Sequence, residues 1–139
     1  MIINKKRWTA QKVVVMDFLK SVKTHPTAEM VFNEVKAKLP NITLATVYRN
    51  LNSLAEDGAI LRLEINKEYH YDADTSYHQH CVCKKCGKIS DVFQKEITKY
   101  ALKKLEAEFY PESVNIVYFG TCKECYRRTK NDKQKSTKL

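Results

Sequence analysis

Five cysteines carry the clearest chemistry in this sequence of 139 residues. Four of them form two C-x-x-C pairs, Cys83 with Cys86 and Cys122 with Cys125. This spacing lets both thiolates of a pair bind one tetrahedral ion, and four thiolates make the closed site of a structural zinc ion. The alternative is two separate redox dithiols. Cys81 lies outside both pairs and is expected to be a buried thiol in a strand.

A second set of possible metal ligands precedes the first cysteine pair. His78 and His80 are two residues apart, so on a strand they point to the same face. Imidazoles combined with carboxylates suit Fe(II), Mn(II) or Zn(II), and Asp72 and Asp91 are the candidate carboxylates. If His25 joins them, the site ties the two halves of the chain together. The alternative is that both histidines are ordinary surface residues of a strand.

The elements that must position these residues begin with three helices and a hairpin. Apolar residues recur at helical spacing in three segments, and turn residues separate two alternating runs. The predicted elements are a helix over 10–23, a helix capped by Thr27, a helix capped by Thr43, and strands over 60–65 and 68–72. Three helices followed by a hairpin predict a winged helix-turn-helix, which is a DNA-binding architecture.

The third helix of such a unit enters the major groove of double-stranded DNA. Its outward residues have side chains that can contact base edges or phosphates. They are Thr46, Tyr48, Arg49 and Asn50. Arg7 and Lys12 flank the first helix and are candidates for phosphate or minor-groove contacts. The alternative is that all six are solvated polar positions of ordinary helices.

The second half of the chain reads as strand, strand, helix and strand. The predicted bounds are 78–83, 88–93, 94–109 and 113–119. The last strand is nearly all apolar, so both of its faces are expected to be buried. The second half of the chain is too small to bury both faces by itself. We therefore expect a homodimer that shares the sheet, a symmetry that also suits an operator with two half-sites. The fold class is α+β.

The charge distribution predicts three regions with different partners. The net charge is +9, with +6 in residues 1–49 and +5 in residues 127–139. We expect a DNA-binding domain over 1–74, a dimerisation and metal-binding domain over 75–126, and a basic disordered tail over 127–139, which either solubilises the chain or contacts DNA. No apolar run approaches a membrane span, and the N-terminus does not read as a signal peptide, so we expect a cytoplasmic protein without membrane contact.

Four motifs together resemble the ferric uptake regulator (Fur) family. They are HPTAEMVFNEV at 25–35, TLATVYRNLNSLAEDGAI at 43–60, HQHCVCKKCGKISDV at 78–92 and CKEC at 122–125. The resemblance runs from about Trp8 to Arg127. It implies a homodimeric, metal-dependent transcription factor with an N-terminal winged helix and a small C-terminal α/β dimerisation domain. It also assigns the four paired cysteines to structural zinc.

Within that family the pattern looks like the peroxide-sensing repressor (PerR) type. The resemblance implies that three histidines and two aspartates bind regulatory iron or manganese: His25, Asp72, His78, His80 and Asp91. Aspartate rather than glutamate at position 91 favours this type. The resemblance further implies that Fe(II) and hydrogen peroxide oxidise His25 or His78, after which the metal and the DNA are released. Such a sensor acts once and is not an enzyme.

Other functions stay open at this point. One is an iron-, manganese- or zinc-availability sensor of the same family without oxidative chemistry. Another is a constitutive zinc-stabilised DNA-binding factor, whereas a metalloenzyme is disfavoured because the sequence supplies no substrate pocket or general base. The segment Ser113–Ile116 lacks histidine, so we expect no additional metal site there. The short segment before Trp8 predicts the loss of some DNA-backbone contacts.

Overall fold

The computed structural model describes residues 8–105 and 108–137. Within these ranges the chain contains five helices and five strands, and it falls into two compact units, one on each side of the bond between Thr75 and Ser76. The elements are α1 (Ala10–Ser21), α2 (Ala28–Val35), α3 (Leu44–Glu56), β1 (Leu61–Ile65), β2 (Glu68–Asp72), β3 (Gln79–Cys83), β4 (Ile89–Val92), α4 (Lys95–Lys103), β5 (Val117–Gly120) and α5 (Lys123–Ser136).

Threonine side chains cap all three helices of the first unit. The hydroxyl oxygen of Thr9 accepts a hydrogen bond from the backbone N–H three residues later, and Thr27 and Thr43 do the same for α2 and α3. Each cap satisfies one N–H that has no partner inside its helix. The caps predicted at Thr27 and Thr43 are thereby confirmed.

The three helices enclose one hydrophobic core. The side chains that α3 contributes to it, Val47, Leu51 and Leu54, are completely buried. Helix α1 is shorter than the predicted 10–23, because it ends at Ser21 and Val22 is extended. Helix α2 ends at Val35, and residues 36–38 continue as a turn.

The hairpin that follows is the wing of this unit. Strands β1 and β2 are antiparallel, with Leu61 opposite Asp72 and Ile65 opposite Glu68. The two turn residues both have a positive φ, 53° at Asn66 and 65° at position 67, which matches the twist that a two-residue hairpin loop needs. The three helices and the hairpin confirm the predicted winged helix-turn-helix.

Tyr71 ties the wing to the helices. This residue of β2 is completely buried in the core of the unit. Its hydroxyl group donates a hydrogen bond to Oδ1 of Asn52 on α3, at 3.3 Å, and Arg62 of β1 donates to the same oxygen at 3.1 Å. The wing is therefore held in a fixed position relative to the third helix.

The second unit is built on a three-stranded sheet in the order β4-β3-β5. Strand β3 pairs antiparallel with β4 and parallel with β5, so α4 lies in the crossover between the parallel strands. Gln79 of β3 is completely buried and holds the start of this helix. Its amide group exchanges hydrogen bonds with the backbone of Gln94 and donates to Oγ1 of Thr98 at 2.8 Å. The mixed helix-and-sheet unit confirms the predicted fold class.

Two elements of the second unit differ from their predicted bounds. Helix α4 ends at Lys103 instead of reaching residue 109, and β5 begins at Val117 instead of residue 113. Among the described residues of this unit, none covers the apolar face of α4, since Thr98 is the only buried side chain of that helix. A helix that buries so little apolar surface gains little from extending further.

The basic tail also differs from the expectation, because the structure continues as helix α5 to Ser136 where a disordered segment from residue 127 was predicted. Cys122 caps this helix, an acidic residue lies in its first turn, and two lysines lie in its last turn. These charges suit the helix dipole, and eight of the fourteen residues of the helix are Lys, Arg, Glu or Gln, which have high helix propensity. Across the described part of the chain, no helix is both long and apolar enough to cross a membrane.

Candidate metal centres and DNA-contacting surface

Four cysteine sulfurs converge at the end of the sheet in the second unit. Cys83 ends β3, Cys86 lies in the turn before β4, and Cys122 and Cys125 lie at the start of α5. All four sulfurs lie within 4.8 Å of one another, and the Sγ atoms of Cys86 and Cys122 are 3.9 Å apart. Tetrahedral zinc with Zn–S bonds of about 2.3 Å separates its sulfur ligands by about 3.8 Å. All five cysteines are free, so the four cysteines of the cluster form no disulfide with one another and all four can act as thiol ligands.

Local hydrogen bonds prepare one of these thiols to lose its proton. The backbone N–H of Cys122 donates to Sγ of Cys83 at 3.3 Å, and this bond, followed by that from Cys86, lowers the pKa of Cys83 to about 6. The pKa of Cys125 is instead raised to about 12, first by its hydrogen bond with the thiol of Cys122 and then by burial. Cys125 is therefore the thiol that most needs a compensating cation in order to ionise, and a zinc ion supplies that charge.

Lysine residues flank the paired cysteines in the sequence. Lys84 and Lys85 follow Cys83, and Lys123 follows Cys122. The ammonium group of Lys85 donates to Oγ1 of Thr129 at 2.6 Å, and that hydroxyl group donates to the backbone carbonyl of Cys125 at 2.9 Å. This chain of bonds fixes the first turns of α5 against the turn that carries the other cysteine pair.

Two histidines and one aspartate meet on the opposite end of the same strand. His78 immediately precedes β3, which begins at Gln79, one residue later than predicted, and His80 lies directly opposite Asp91 in the pairing of β3 with β4. Both imidazoles direct Nε2 to one carboxylate oxygen, Oδ1 of Asp91, at 3.3 Å and 3.4 Å. The two rings lie 4.5 Å apart, and both are nearly completely buried.

The tautomer of His78 follows from its other nitrogen. Its Nδ1 lies 2.7 Å from the backbone carbonyl of Ser76, and a carbonyl oxygen only accepts, so Nδ1 carries the proton. In the neutral ring, Nε2 of His78 then has no proton, and its lone pair faces Oδ1 of Asp91. Because this nitrogen and this oxygen are both hydrogen-bond acceptors, they attract each other only if a cation lies between them or the ring carries a second proton. Ligands about 2.1 Å from one ion lie about 3.0–3.4 Å apart, which fits the observed distances.

The first unit contains the other predicted pair of ligands. Nε2 of His25 lies 3.3 Å from Oδ2 of Asp72, and the histidine side chain is 2% exposed. Oδ1 of the same carboxylate accepts the backbone N–H of Asp74 at 2.9 Å. These two contacts orient the carboxylate of Asp72, because one oxygen is bound by the backbone two residues later and the other faces the imidazole of His25.

The backbone of His25 is unusual. Its φ of 53° lies in the left-handed region, which costs about 1–3 kcal/mol for a residue other than glycine. The following residue is Pro26, whose carbonyl accepts the backbone N–H of Tyr71 at 3.0 Å. A strained conformation at a buried residue that faces a carboxylate is typical of a functional position.

Helix α3 presents part of the predicted DNA-contacting surface. Tyr48 is 40% exposed and Arg49 is exposed, as an outward position requires. The guanidinium group of Arg49 donates to Oγ1 of Thr46 at 3.0 Å, and Thr46 also contacts the hydroxyl group of the cap residue. These contacts orient the arginine side chain along the first turns of the helix.

Three other predicted DNA contacts fare differently. The ammonium group of Lys12 donates to Oγ of Ser53 at 2.7 Å, so this lysine connects α1 with α3 instead of extending into solvent. The side-chain nitrogen of Asn50 is buried and has no hydrogen-bond acceptor among the described residues, so it does not extend outward as predicted. Arg7 lies outside the described residues.

Some residues that shape these sites were not singled out in the sequence. Gln79 stands between the two histidines, and its alternate position on the strand directs it to the other face, towards α4. Its position between the two histidines could have indicated a residue on the opposite face of the strand. His70 contacts the backbone of His25 across 45 residues, and no local pattern indicates such a contact.

Cys81, for which the sequence predicted a buried position, is half-buried.

Comparisons with known proteins agree on one family. The sequence model described as "Ferric uptake regulator family" matches residues 4–119. The peroxide-responsive repressor PerR of Staphylococcus epidermidis is 32% identical over 121 residues, which cover 86% of this chain and 81% of that protein.

Solved structures give the same result for the fold. The Campylobacter jejuni peroxide stress regulator is similar with a TM-score of 0.69 and 33% identity, covering 83% of this chain and 88% of that one. The Helicobacter pylori ferric uptake regulator Fur, described as having three functional metal-binding sites, is similar with a TM-score of 0.70 and 30% identity. That match covers 86% of this chain and 82% of the other.

Proposed function

The chain belongs to the ferric uptake regulator family, and we propose that it is a metal-dependent transcriptional repressor that senses hydrogen peroxide. Two similar proteins support this function. They are the peroxide-responsive repressor of S. epidermidis and the peroxide stress regulator of C. jejuni, and both are about one-third identical to this chain over most of its length. The observation that carries it is the convergence of two imidazole nitrogens on a single oxygen of Asp91.

Two metal ions have separate roles in this proposal. A structural zinc ion is bound by Cys83, Cys86, Cys122 and Cys125, whose sulfurs have the separation that tetrahedral zinc requires. A regulatory Fe(II) or Mn(II) ion is bound by His78, His80 and Asp91 of one unit together with His25 and Asp72 of the other. This nitrogen and oxygen set suits those ions, whereas the four thiolates favour zinc.

Metal binding acts on DNA binding through the two units. Ligands contributed by both units are brought to one ion only in one arrangement of the dimer, so the ion shifts the population towards that arrangement. We propose that this arrangement presents both α3 helices to the half-sites of an operator, with Tyr48, Arg49 and Thr46 on the DNA. A nearly complete switch requires an ion affinity about 10⁴-fold higher in the DNA-binding arrangement.

The dimer is proposed to form through the exposed apolar residues of the second unit. Ile97 and Tyr100 of α4 and Tyr118 and Phe119 of β5 are each at least 40% exposed. Strand β5 is an edge of its sheet, so its second side is open for pairing. A second copy of the chain that covers this surface also gives the two-fold symmetry that an operator with two half-sites needs.

The peroxide reaction modifies the protein itself. When bound, Fe(II) supplies the electron transfer that activates hydrogen peroxide. The imidazole of His25 or His78 then gains one oxygen atom, so histidine is oxidised by two electrons while peroxide is reduced to water. The oxidised ring would be a poorer ligand, so Asp72, Asp91 and the remaining imidazoles would hold the regulatory metal less tightly. The repressor leaves the DNA after one such event, so it acts as a sensor without turnover.

The test is a mass measurement of the Fe(II)-loaded protein, prepared without oxygen, before and after peroxide. We expect one added oxygen, located on His25 or His78 by peptide mapping, and no addition in the Mn(II)-loaded control. If Fe(II) is bound and no oxygen is added, the protein is a metal-availability sensor. If the His78→Ala variant binds DNA with unchanged affinity and no metal dependence, it is a constitutive zinc-stabilised DNA-binding factor.

A further inference from the structure

One face of strand β2 holds His25 at two points. Residues two apart on a strand share a face, so His70 and Asp72 point to the same side. Oδ2 of Asp72 contacts the imidazole of His25 at 3.3 Å, while Nδ1 of His70 lies 2.8 Å from the backbone carbonyl of His25. The two side chains thus contact the ring and the peptide group of the same residue.

The direction of the second contact is fixed by its acceptor. A carbonyl oxygen only accepts, so Nδ1 of His70 carries the proton and donates. The next peptide group is held as well, because the carbonyl of Pro26 accepts the backbone N–H of Tyr71. Side chain and backbone of β2 therefore bind two consecutive carbonyls of the segment that carries His25.

This support matters because the backbone of His25 is strained. Its φ of 53° is one that side-chain-bearing residues rarely adopt, and such conformations persist only where surrounding contacts over-determine them. If the peptide plane after His25 rotates, the imidazole moves with it. The side chain of Asp72 alone constrains the ring but leaves that plane free.

We propose that His70 is a positioning residue for His25, so that its Nδ1–H bond orients the peptide group of His25 and pre-orders the imidazole for the regulatory metal. The inference rests on the proposed function, in which His25 is a ligand of that metal. His70 contributes no ligand atom itself. Groups that orient a metal ligand in this way commonly change metal affinity by about 10–100-fold.

Two substitutions of nearly equal shape separate the hydrogen bond from packing. In His70→Asn the amide nitrogen takes a position close to that of Nδ1 and can still donate, whereas in His70→Leu the side chain has similar branching but no donor. The full-length zinc-loaded protein is titrated with Mn(II), and thermal unfolding is measured without Mn(II). We expect Mn(II) affinity to fall at least tenfold for His70→Leu and by less than threefold for His70→Asn, with similar melting temperatures.

Site-specific oxidation supplies a second readout. In Fe(II)-loaded protein treated with peroxide, His70→Leu should lower the oxidation of His25 relative to that of His78, because only the first ligand is displaced. His25→Ala is the reference, since loss of the ligand itself must weaken Mn(II) binding. If His25→Ala binds Mn(II) like the wild type, the proposed function fails. If it binds weakly while His70→Leu binds normally, or if both variants at position 70 lose equal affinity, the positioning role is refuted.

Discussion

Removal of the structural zinc ion should unfold the second unit while the first remains folded. Among the described residues of the second unit, Val82 and Ile89 are the only buried aliphatic side chains. At about 1.5–3 kcal/mol each, they contribute about 3–6 kcal/mol. Ordering the backbone costs about 1–2 kcal/mol per residue, so apolar burial of this size is far from sufficient. A structural zinc ion supplies about 10–16 kcal/mol.

Shared among four thiolates, that energy is about 3 kcal/mol for each ligand, or about a hundredfold in zinc affinity. Cys83→Ser should therefore bind zinc about a hundredfold more weakly, measured by competition with a chromophoric chelator. Cys81→Ser is the matched control, because this cysteine lies two residues earlier on the same strand and outside the cluster. Its zinc affinity should equal that of the wild type.

Hydrogen exchange measured by mass spectrometry then follows each unit separately. After zinc removal, amides of β3 and β4 should exchange rapidly, whereas those of α3 should stay protected by their own core. The reasoning is refuted if Cys83→Ser retains the zinc affinity of the Cys81→Ser control. It is equally refuted if β3 keeps its protection once the zinc has been removed.

Four further predictions concern other parts of the molecule. Leu51→Ala should lower the free energy of unfolding by about 2–5 kcal/mol in urea titrations with zinc content unchanged, and a loss below 1 kcal/mol would contradict the buried position. Asp91→Asn should weaken Mn(II) binding at least tenfold in calorimetry while zinc stays bound, since both imidazoles face this carboxylate. Arg49→Gln should reduce the slope of log affinity against log salt by about 1 for operator DNA, whereas Arg128→Gln on α5, a side chain already paired with an acidic neighbour, should not. Phe119→Glu should shift the protein towards monomer in analytical ultracentrifugation, and an unchanged dimer would exclude β5 from the interface.

The parts of the fold that depend on neighbouring residues were predictable. The caps at Thr27 and Thr43 need only the cap residue and the N–H three positions later. The hairpin turn at Asn66 depends on two residues that accept a positive φ. Both features are local, so the sequence determines them before any tertiary contact forms.

The parts that depend on distant residues were not predictable in this way. Lys12 is basic and near the surface, and only its contact with Ser53 shows that its charge is used inside the unit. The apolar residues of α4 predicted a longer helix, because a sequence pattern does not show that its covering surface is absent from the unit. In α5 the charge pattern was interpreted as disorder, although the same lysines and arginines favour a solvated helix.

The contact between His70 and His25 also bears on the order in which the protein is made and assembled. It closes a loop of 45 residues that contains all of α2, α3 and β1. During synthesis, the first half of the chain therefore cannot display its imidazole and carboxylate together until the wing has emerged from the ribosome and paired. An incomplete or partly unfolded winged helix offers iron no such pair of ligands. Within the proposed function, the regulatory metal therefore finds these two ligands together only after the wing has folded.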